Sequence, residues 1–167
     1  MNEKKDTQIN WRKIYKDVRP LHKKNYLETI KSAAGIKIFK HVYALVDGEE
    51  KDIAEGGNLS CALFVAMILL RFTSVAKNFK LISEIHITVK GTIDDLMKNG
   101  WFEISELKEG AVIVWTEGKD NMEPHIGFYL GNSMAISNSD KSRESTIHHI
   151  DDGGREIAKI FWHDFLN

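Results

Sequence analysis

Residues 58–72 read Asn-Leu-Ser-Cys-Ala-Leu-Phe-Val-Ala-Met-Ile-Leu-Leu-Arg-Phe, and they contain the only cysteine of the chain, Cys61. Two glycines break any regular structure just before them. Asn58 and Ser60 are both residue types that favour the N-cap position of a helix. The pattern predicts a buried helix with Cys61 in its first turn, where unpaired N–H groups and the helix dipole favour a thiolate. Cysteine hydrolases mount their nucleophile in this way. The alternative is that Cys61 is a small hydrophobic residue of the core.

The composition predicts one soluble domain. The chain has 167 residues, 43% of them hydrophobic, and carries 23 basic and 24 acidic residues. That length suits a single domain over residues 1–167 with a core of its own. The balanced charge argues against nucleic acid or an anionic membrane as a partner. No apolar signal segment follows the charged start of the chain, so we expect a cytoplasmic protein whose residues 1–8 are frayed.

The predicted elements are helical first and rich in strands afterwards. Besides the cysteine helix, amphipathic patterns predict helices at Ile9–Val18, Asn25–Ala34 and Thr92–Asn99. Dense β-branched residues and turn signals predict a hairpin of Ile36–Val46 with Lys51–Ala54, and later an extended segment at Leu81–Val89. The last third predicts strands at Ala111–Trp115, His125–Leu130, Met134–Asn138 and Ile157–Trp162. Helices followed by an antiparallel sheet indicate the α+β class.

A cysteine nucleophile needs a base, normally histidine, and a third polar group that orients the imidazole. Among the histidines that follow Cys61, His125 is the best candidate, because it begins a predicted strand in which Gly127 leaves room for a close approach. A two-residue turn after that strand pairs Asn138 with His125, and a slip of one residue would change every partner. We therefore expect the Asn138 side chain to accept a hydrogen bond from one ring nitrogen of His125.

The remaining histidines suggest one further contact and no metal site. His86 lies on the predicted extended segment and could line the same cleft, so it is a candidate substrate-binding residue. His148 and His149 look like a metal-binding pair, but adjacent residues of a strand point to opposite faces. A single cysteine without regular histidine and carboxylate spacing does not predict zinc.

Two stretches of the sequence resemble the NlpC-type papain-like cysteine peptidases. Ser60-Cys61-Ala62-Leu63-Phe64-Val65 is similar to the family's Asp-Cys-Ser-Gly-Leu-Val. His125-Ile-Gly-Phe-Tyr-Leu-Gly131 is similar to its His-Val-Gly-Ile-Tyr-Leu-Gly, and a strand block at 107–114 precedes it as in the family. The resemblance covers about Asn58 to Asn138, roughly half of the chain. It implies a papain-like fold that needs no cofactor, with Cys61 as nucleophile and His125 as base for hydrolysing an amide bond in a small peptide, such as a cell-wall-type peptide.

The third catalytic group of that family, commonly a histidine, aligns with Ser137. Asparagine is accepted in this role by the wider papain-like class, so Asn138 is the favoured orienting residue and Ser137 is the runner-up. Two other functions remain open at this point. One is a non-catalytic binding module with the same fold, and the other is an acyltransferase or thioesterase that uses the same Cys61 and His125 pair.

Overall fold

The computed structural model describes residues 20–73, 79–116, 124–139 and 141–167. These residues form three α-helices, a two-stranded sheet and a six-stranded antiparallel sheet, which confirms the α+β class. The helices are α1 (His22–Ser32), α2 (Cys61–Leu70) and α3 (Val89–Lys98). The strands are β1 (Tyr43–Val46), β2 (Glu49–Asp52), β3 (Phe102–Glu103), β4 (Val112–Trp115), β5 (His125–Gly131), β6 (Met134–Asn138), β7 (Ser145–His149) and β8 (Ile157–Trp162). The predictions for residues 1–8 and for a helix at Ile9–Val18 lie outside the described residues.

The large sheet has the order β3-β8-β4-β5-β6-β7. Strands β4 to β7 are neighbours in the sheet in the same order as in the chain, and β8 returns to pair with β4. Strand β5 therefore lies inside the sheet, with β4 on one side and β6 on the other. This arrangement surrounds His125, the first residue of β5, with side chains from its neighbouring strands.

Helix α2 begins at Cys61 as predicted. The other two helices begin three residues earlier than predicted. Helix α3 begins at Val89 because the Thr88 hydroxyl accepts a hydrogen bond from the Gly91 N–H at 3.1 Å, as an N-cap residue does. Thr92, which the sequence favoured as the cap, is instead a buried residue within the helix.

Strands β6 and β8 have the predicted bounds, but the predicted strand over 36–46 is wrong in its first part. Only Tyr43–Val46 forms a strand there. The backbone before it bonds to β7 instead, with Gly35 N–H to Ser145 carbonyl at 2.7 Å and Ser145 N–H to Ile36 carbonyl at 3.1 Å. Strands β3 and β7 were not predicted, since their sequences are short or polar.

The segment 81–88 is irregular, so the predicted extended stretch does not form a strand. Its backbone N–H groups are partly used by a side chain. The Asp95 carboxylate of α3 accepts from Ser83 N–H at 2.9 Å and from Glu84 N–H at 3.3 Å. A tertiary contact thus supplies the partners that a neighbouring strand would have supplied.

Helix α2 lies in the core. Its buried residues are Ala62, Leu63, Phe64, Val65, Ala66, Ile68 and Leu69. A helix that is apolar on every side is stable only when other elements cover it. Phe64 packs edge-on against Phe39 and against Phe128 of β5, with ring centroids 5.2 and 5.6 Å apart. Within the described ranges, no helix has both the length and the apolar character that crossing a membrane requires.

Candidate active site

One carboxylate holds the turn that leads into α2. Asp52 accepts hydrogen bonds from the His41 ring at 2.8 Å and from the N–H groups of Val42, Ala54 and Gly56 at 3.0, 3.2 and 2.9 Å. The bond from His41, followed by these backbone donors, holds the pKa of the Asp52 carboxyl well below its ordinary value. The carboxylate therefore stays ionised and fixes the chain just before α2.

Ser60 joins the start of α2 to the sheet. Its hydroxyl donates to the Gly57 carbonyl at 2.5 Å and accepts from the amide nitrogen of Asn138. The amide oxygen of Asn138 accepts from the Ser145 hydroxyl at 3.3 Å. All three side chains are buried, so this network fixes the position of Cys61 relative to β6 and β7. Ser60 occupies the N-cap position of α2, as one of the two predicted cap residues, but its side chain makes no capping bond to the helix.

The Cys61 thiol lies against the backbone of β5. The backbone N–H groups that influence its pKa are those of Ile126, the residue directly after His125, of Ala62 and of Cys61 itself. Burial raises the pKa of the thiol, while these donors and the charge of Arg155 act to lower it. Because desolvation wins, the resting residue is a neutral thiol. The N–H groups at the helix start thus act on the pKa in the expected direction, but burial outweighs them.

His125 is held by a serine from the neighbouring strand. Its Nε2 atom lies 2.8 Å from the Ser137 hydroxyl oxygen. Gly127 makes this approach possible, because a Cβ atom there would lie 2.9 Å from the Cβ of Ser137. The space expected beside Gly127 is thus occupied by β6. Of the two orienting candidates, the structure brings Ser137 to His125.

Asn138 is not opposite His125, because the strand register differs by one residue from the predicted one. β5 pairs Phe128 with Ile136 and Tyr129 with Ala135, where the prediction paired Leu130 with Ser133. The turn residues are Asn132 and Ser133, both with positive φ (50° and 58°), and the register shifts between Tyr129 and Gly131. A slip of one residue exchanges the two faces of a strand. Ser137 therefore shares a face with His125, and Asn138 faces α2.

Sequence reasoning missed the participation of His148. Its Nε2 atom lies 2.9 Å from the Ser137 hydroxyl oxygen. The fully buried Trp115 ring packs against both histidines, with centroids 5.5 Å from His125 and 5.6 Å from His148. Strand β7 places His148 on the same face of the sheet as Ser137. The polar sequence of residues 145–149 does not predict this strand.

His86 belongs to a different polar cluster. Its Nε2 atom lies 2.7 Å from the Asp95 carboxylate, which also accepts from the Asn99 amide at 2.7 Å. Burial opposes ionisation of Asp95, but the bonds from His86 and from the backbone outweigh it, so the pKa of this carboxyl is lowered. These contacts tie the segment before α3 to the helix. The role of His86 as a substrate contact stays a prediction.

No protein-family model matches this chain, and no curated protein matches it. A function for this chain must therefore be argued from the residues of the site and their geometry.

Proposed function

We propose that this protein is a cysteine hydrolase that cleaves an amide bond, with Cys61 as nucleophile, His125 as general base and Ser137 as the residue that orients the imidazole. One observation carries the proposal. Ser60, directly before Cys61, is bonded to Asn138 of β6, and the adjacent Ser137 holds His125 at 2.8 Å. A nucleophile, a base and an orienting group are the parts that this chemistry requires.

The proposed reaction starts from the neutral thiol. His125 accepts the thiol proton through Nδ1 as the sulfur attacks the amide carbonyl, and the charge on the carbonyl oxygen is stabilised by N–H groups at the start of α2. His125 then returns the proton to the leaving amine, and a thioester on Cys61 remains. Water hydrolyses this thioester with His125 again as base, which releases the carboxylic acid and restores the thiol.

The order of the elements supports a papain-like form of the fold. A cysteine at the start of a buried helix precedes an antiparallel sheet. The third strand of this sheet in chain order, β5, begins with His125. By resemblance, the substrate class is a small peptide or isopeptide of the cell-wall type. The neutral resting thiol instead favours the second candidate, a non-catalytic module in which Cys61 only packs.

The pH dependence of alkylation separates the two candidates. We expect the rate of iodoacetamide labelling of Cys61 to show a limb below pH 8 that depends on His125, followed by a rise as the thiol itself ionises. His125→Ala should remove the lower limb and slow labelling at pH 7 by about tenfold or more. His22→Ala, at an exposed histidine of α1, is the control and should leave the profile unchanged.

Two outcomes would decide against hydrolysis. Superimposable profiles of the wild type and His125→Ala, each following one simple thiol ionisation, would show that Cys61 is a packing residue. A His125-dependent thiol that releases no amine from small peptides and cell-wall peptide fragments, measured by mass spectrometry, would exclude the proposed substrate class.

A further inference from the structure

Three polar side chains from adjacent strands form a continuous chain of hydrogen bonds in the sheet. His125 of β5, Ser137 of β6 and His148 of β7 are joined through the one hydroxyl of Ser137, at 2.8 Å and 2.9 Å. Ser137 is buried, and the His148 side chain is 19% exposed. Because Ser137 is shielded from water, the two histidines are the hydrogen-bond partners of its hydroxyl.

The direction of this chain is set at the end that is farthest from His125. The Nδ1 atom of His148 lies 2.8 Å from the backbone carbonyl of His149. A carbonyl oxygen can only accept, so Nδ1 carries the proton. The Asp152 carboxylate, 3.6 Å from the same nitrogen, favours the same arrangement. In a neutral imidazole the other nitrogen, Nε2, is then an acceptor.

Each later bond follows from that first one. The Ser137 hydroxyl donates to Nε2 of His148, and its oxygen can then only accept from Nε2 of His125. The neutral ring of His125 therefore carries its proton on Nε2, and Nδ1 is the basic nitrogen. A serine on its own could not impose this tautomer, since its hydroxyl donates and accepts equally well.

The charge around His148 is balanced by its neighbours. Asp152 also lies 3.3 Å from Nε of Arg155, whose Nη1 donates to the Thr116 carbonyl at 3.0 Å. The carboxylate is thereby shared between the guanidinium and His148, so a neutral His148 leaves no unpaired negative charge on Asp152. The Trp115 ring, packed on both histidines, holds the two imidazoles in place.

The geometry points to His148 as a positioning residue, which acts through Ser137 to fix His125 in the tautomer with basic Nδ1. This inference rests on the proposed function, because the tautomer of His125 matters to a reaction only if His125 is the base. It assigns the orienting task, which one asparagine or histidine performs in related chemistry, to a serine and a histidine acting together.

Long-range proton–nitrogen NMR of the imidazoles tests this directly, because it distinguishes the two tautomers of each ring. The variants are His148→Phe, which fills a similar volume without an acceptor, and His148→Gln, whose amide oxygen can accept from Ser137. Ser137→Ala breaks the chain at a second point, in case His148→Phe fails to fold. His22→Phe makes the same substitution at an exposed histidine of α1 and is the control.

In the wild type and in His22→Phe we expect neutral His125 to be protonated on Nε2. His148→Phe and Ser137→Ala should give a mixture of tautomers, and His148→Gln should restore the wild-type signature. In an amidase assay His148→Phe should lower kcat by about tenfold or more with little change in KM.

An Nε2-protonated His125 in both folded His148→Phe and Ser137→Ala would overturn the inference, even in an active enzyme. Tautomers that respond as expected in a protein without amidase activity would support it and would overturn only the proposed hydrolysis.

Discussion

At the scale of single residues, the distinction between Ser137 and Asn138 decides how the site works. Both side chains are buried, but they face opposite sides of β6. Ser137 bonds His125, whereas Asn138 bonds Ser60 and Ser145. The two residues therefore have separable effects, with Ser137 acting on His125 and Asn138 acting on the position of α2.

This separation predicts different results for two alanine variants. Ser137→Ala should lower the His125-dependent rate of Cys61 alkylation at pH 7 and cost less in the free energy of unfolding than Asn138→Ala, because the two histidines that lose a partner are only partly buried. Asn138→Ala should cost about 1–3 kcal/mol in the free energy of unfolding, because it leaves the buried hydroxyls of Ser60 and Ser145 without their partner. Urea unfolding and alkylation rates measure the two effects. Thr146→Val, on the neighbouring strand, is the control. The opposite ranking would restore Asn138 as the orienting residue.

At the scale of elements, the turn before α2 depends on a glycine. Gly57 has φ +100°, a value that disfavours any side chain, and an added Cβ would lie 3.1 Å from the Cβ of Arg143. Arg143 also donates to the Gly56 carbonyl at 2.8 Å, so this side chain cannot move away without losing a bond. The start of α2 is thus packed against the loop that leads into β7.

We expect Gly57→Ala to destabilise the protein by more than the backbone cost alone, which is about 1–2 kcal/mol. Gly35→Ala is a matched control, since Gly35 also has positive φ (+78°) but has nothing within 4 Å of the added Cβ. The difference between the two free energies of unfolding, from urea titrations, reports the contact with Arg143. Equal losses would mean that the contact relaxes at no cost.

Helix α3 and the segment before it are joined by the ionised Asp95, which predicts a dependence of stability on pH. The pKa of this carboxyl is lowered in the folded protein, so below about 3.9, the ordinary aspartate value, the unfolded chain binds more protons. The stability that Asp95 contributes is present above that pH and is lost as the pH falls through the folded pKa. Asp95→Asn keeps the shape but cannot ionise.

Urea unfolding between pH 6 and pH 3 should therefore show a smaller loss of stability for Asp95→Asn than for the wild type. Asp47→Asn is a suitable control, because Asp47 is exposed in the turn between β1 and β2. Parallel curves for the wild type and Asp95→Asn would show that the bonds from His86 and the backbone do not depend on the charge.

At the scale of the whole molecule, α2 supplies the centre of the core and also carries Cys61. Leu69, near the end of the helix away from Cys61, is fully buried. Leu69→Asp removes an apolar side chain and buries a charge, which together should cost more than about 4 kcal/mol and leave the protein unfolded at 25 °C. Arg71→Asp places the same residue at an exposed site just after the helix and should remain folded. Circular dichroism distinguishes these outcomes, and a folded Leu69→Asp would contradict the assignment of the core.

The sequence by itself determined what depends on local patterns. A run that is apolar on all sides predicted a buried helix, and the two glycines and the cap residues before it placed Cys61 in its first turn. Alternation and tight turns gave β6 and β8 their bounds, and the order of helices and strands gave the α+β class. Each of these follows from the few residues involved, so no distant contact was needed to predict it.

Only the tertiary structure decided how the site is completed. The turn after β5 lies one residue further along than the sequence suggested, and that slip put Ser137 and not Asn138 beside His125. Burial by elements far away in the chain raised the pKa of Cys61 against the effect of its own helix. The polar strand β7 forms because β6 pairs with it, and this pairing brings His148 to Ser137. Register, burial and strand pairing depend on residues that are distant in sequence, and for that reason no local pattern could fix them.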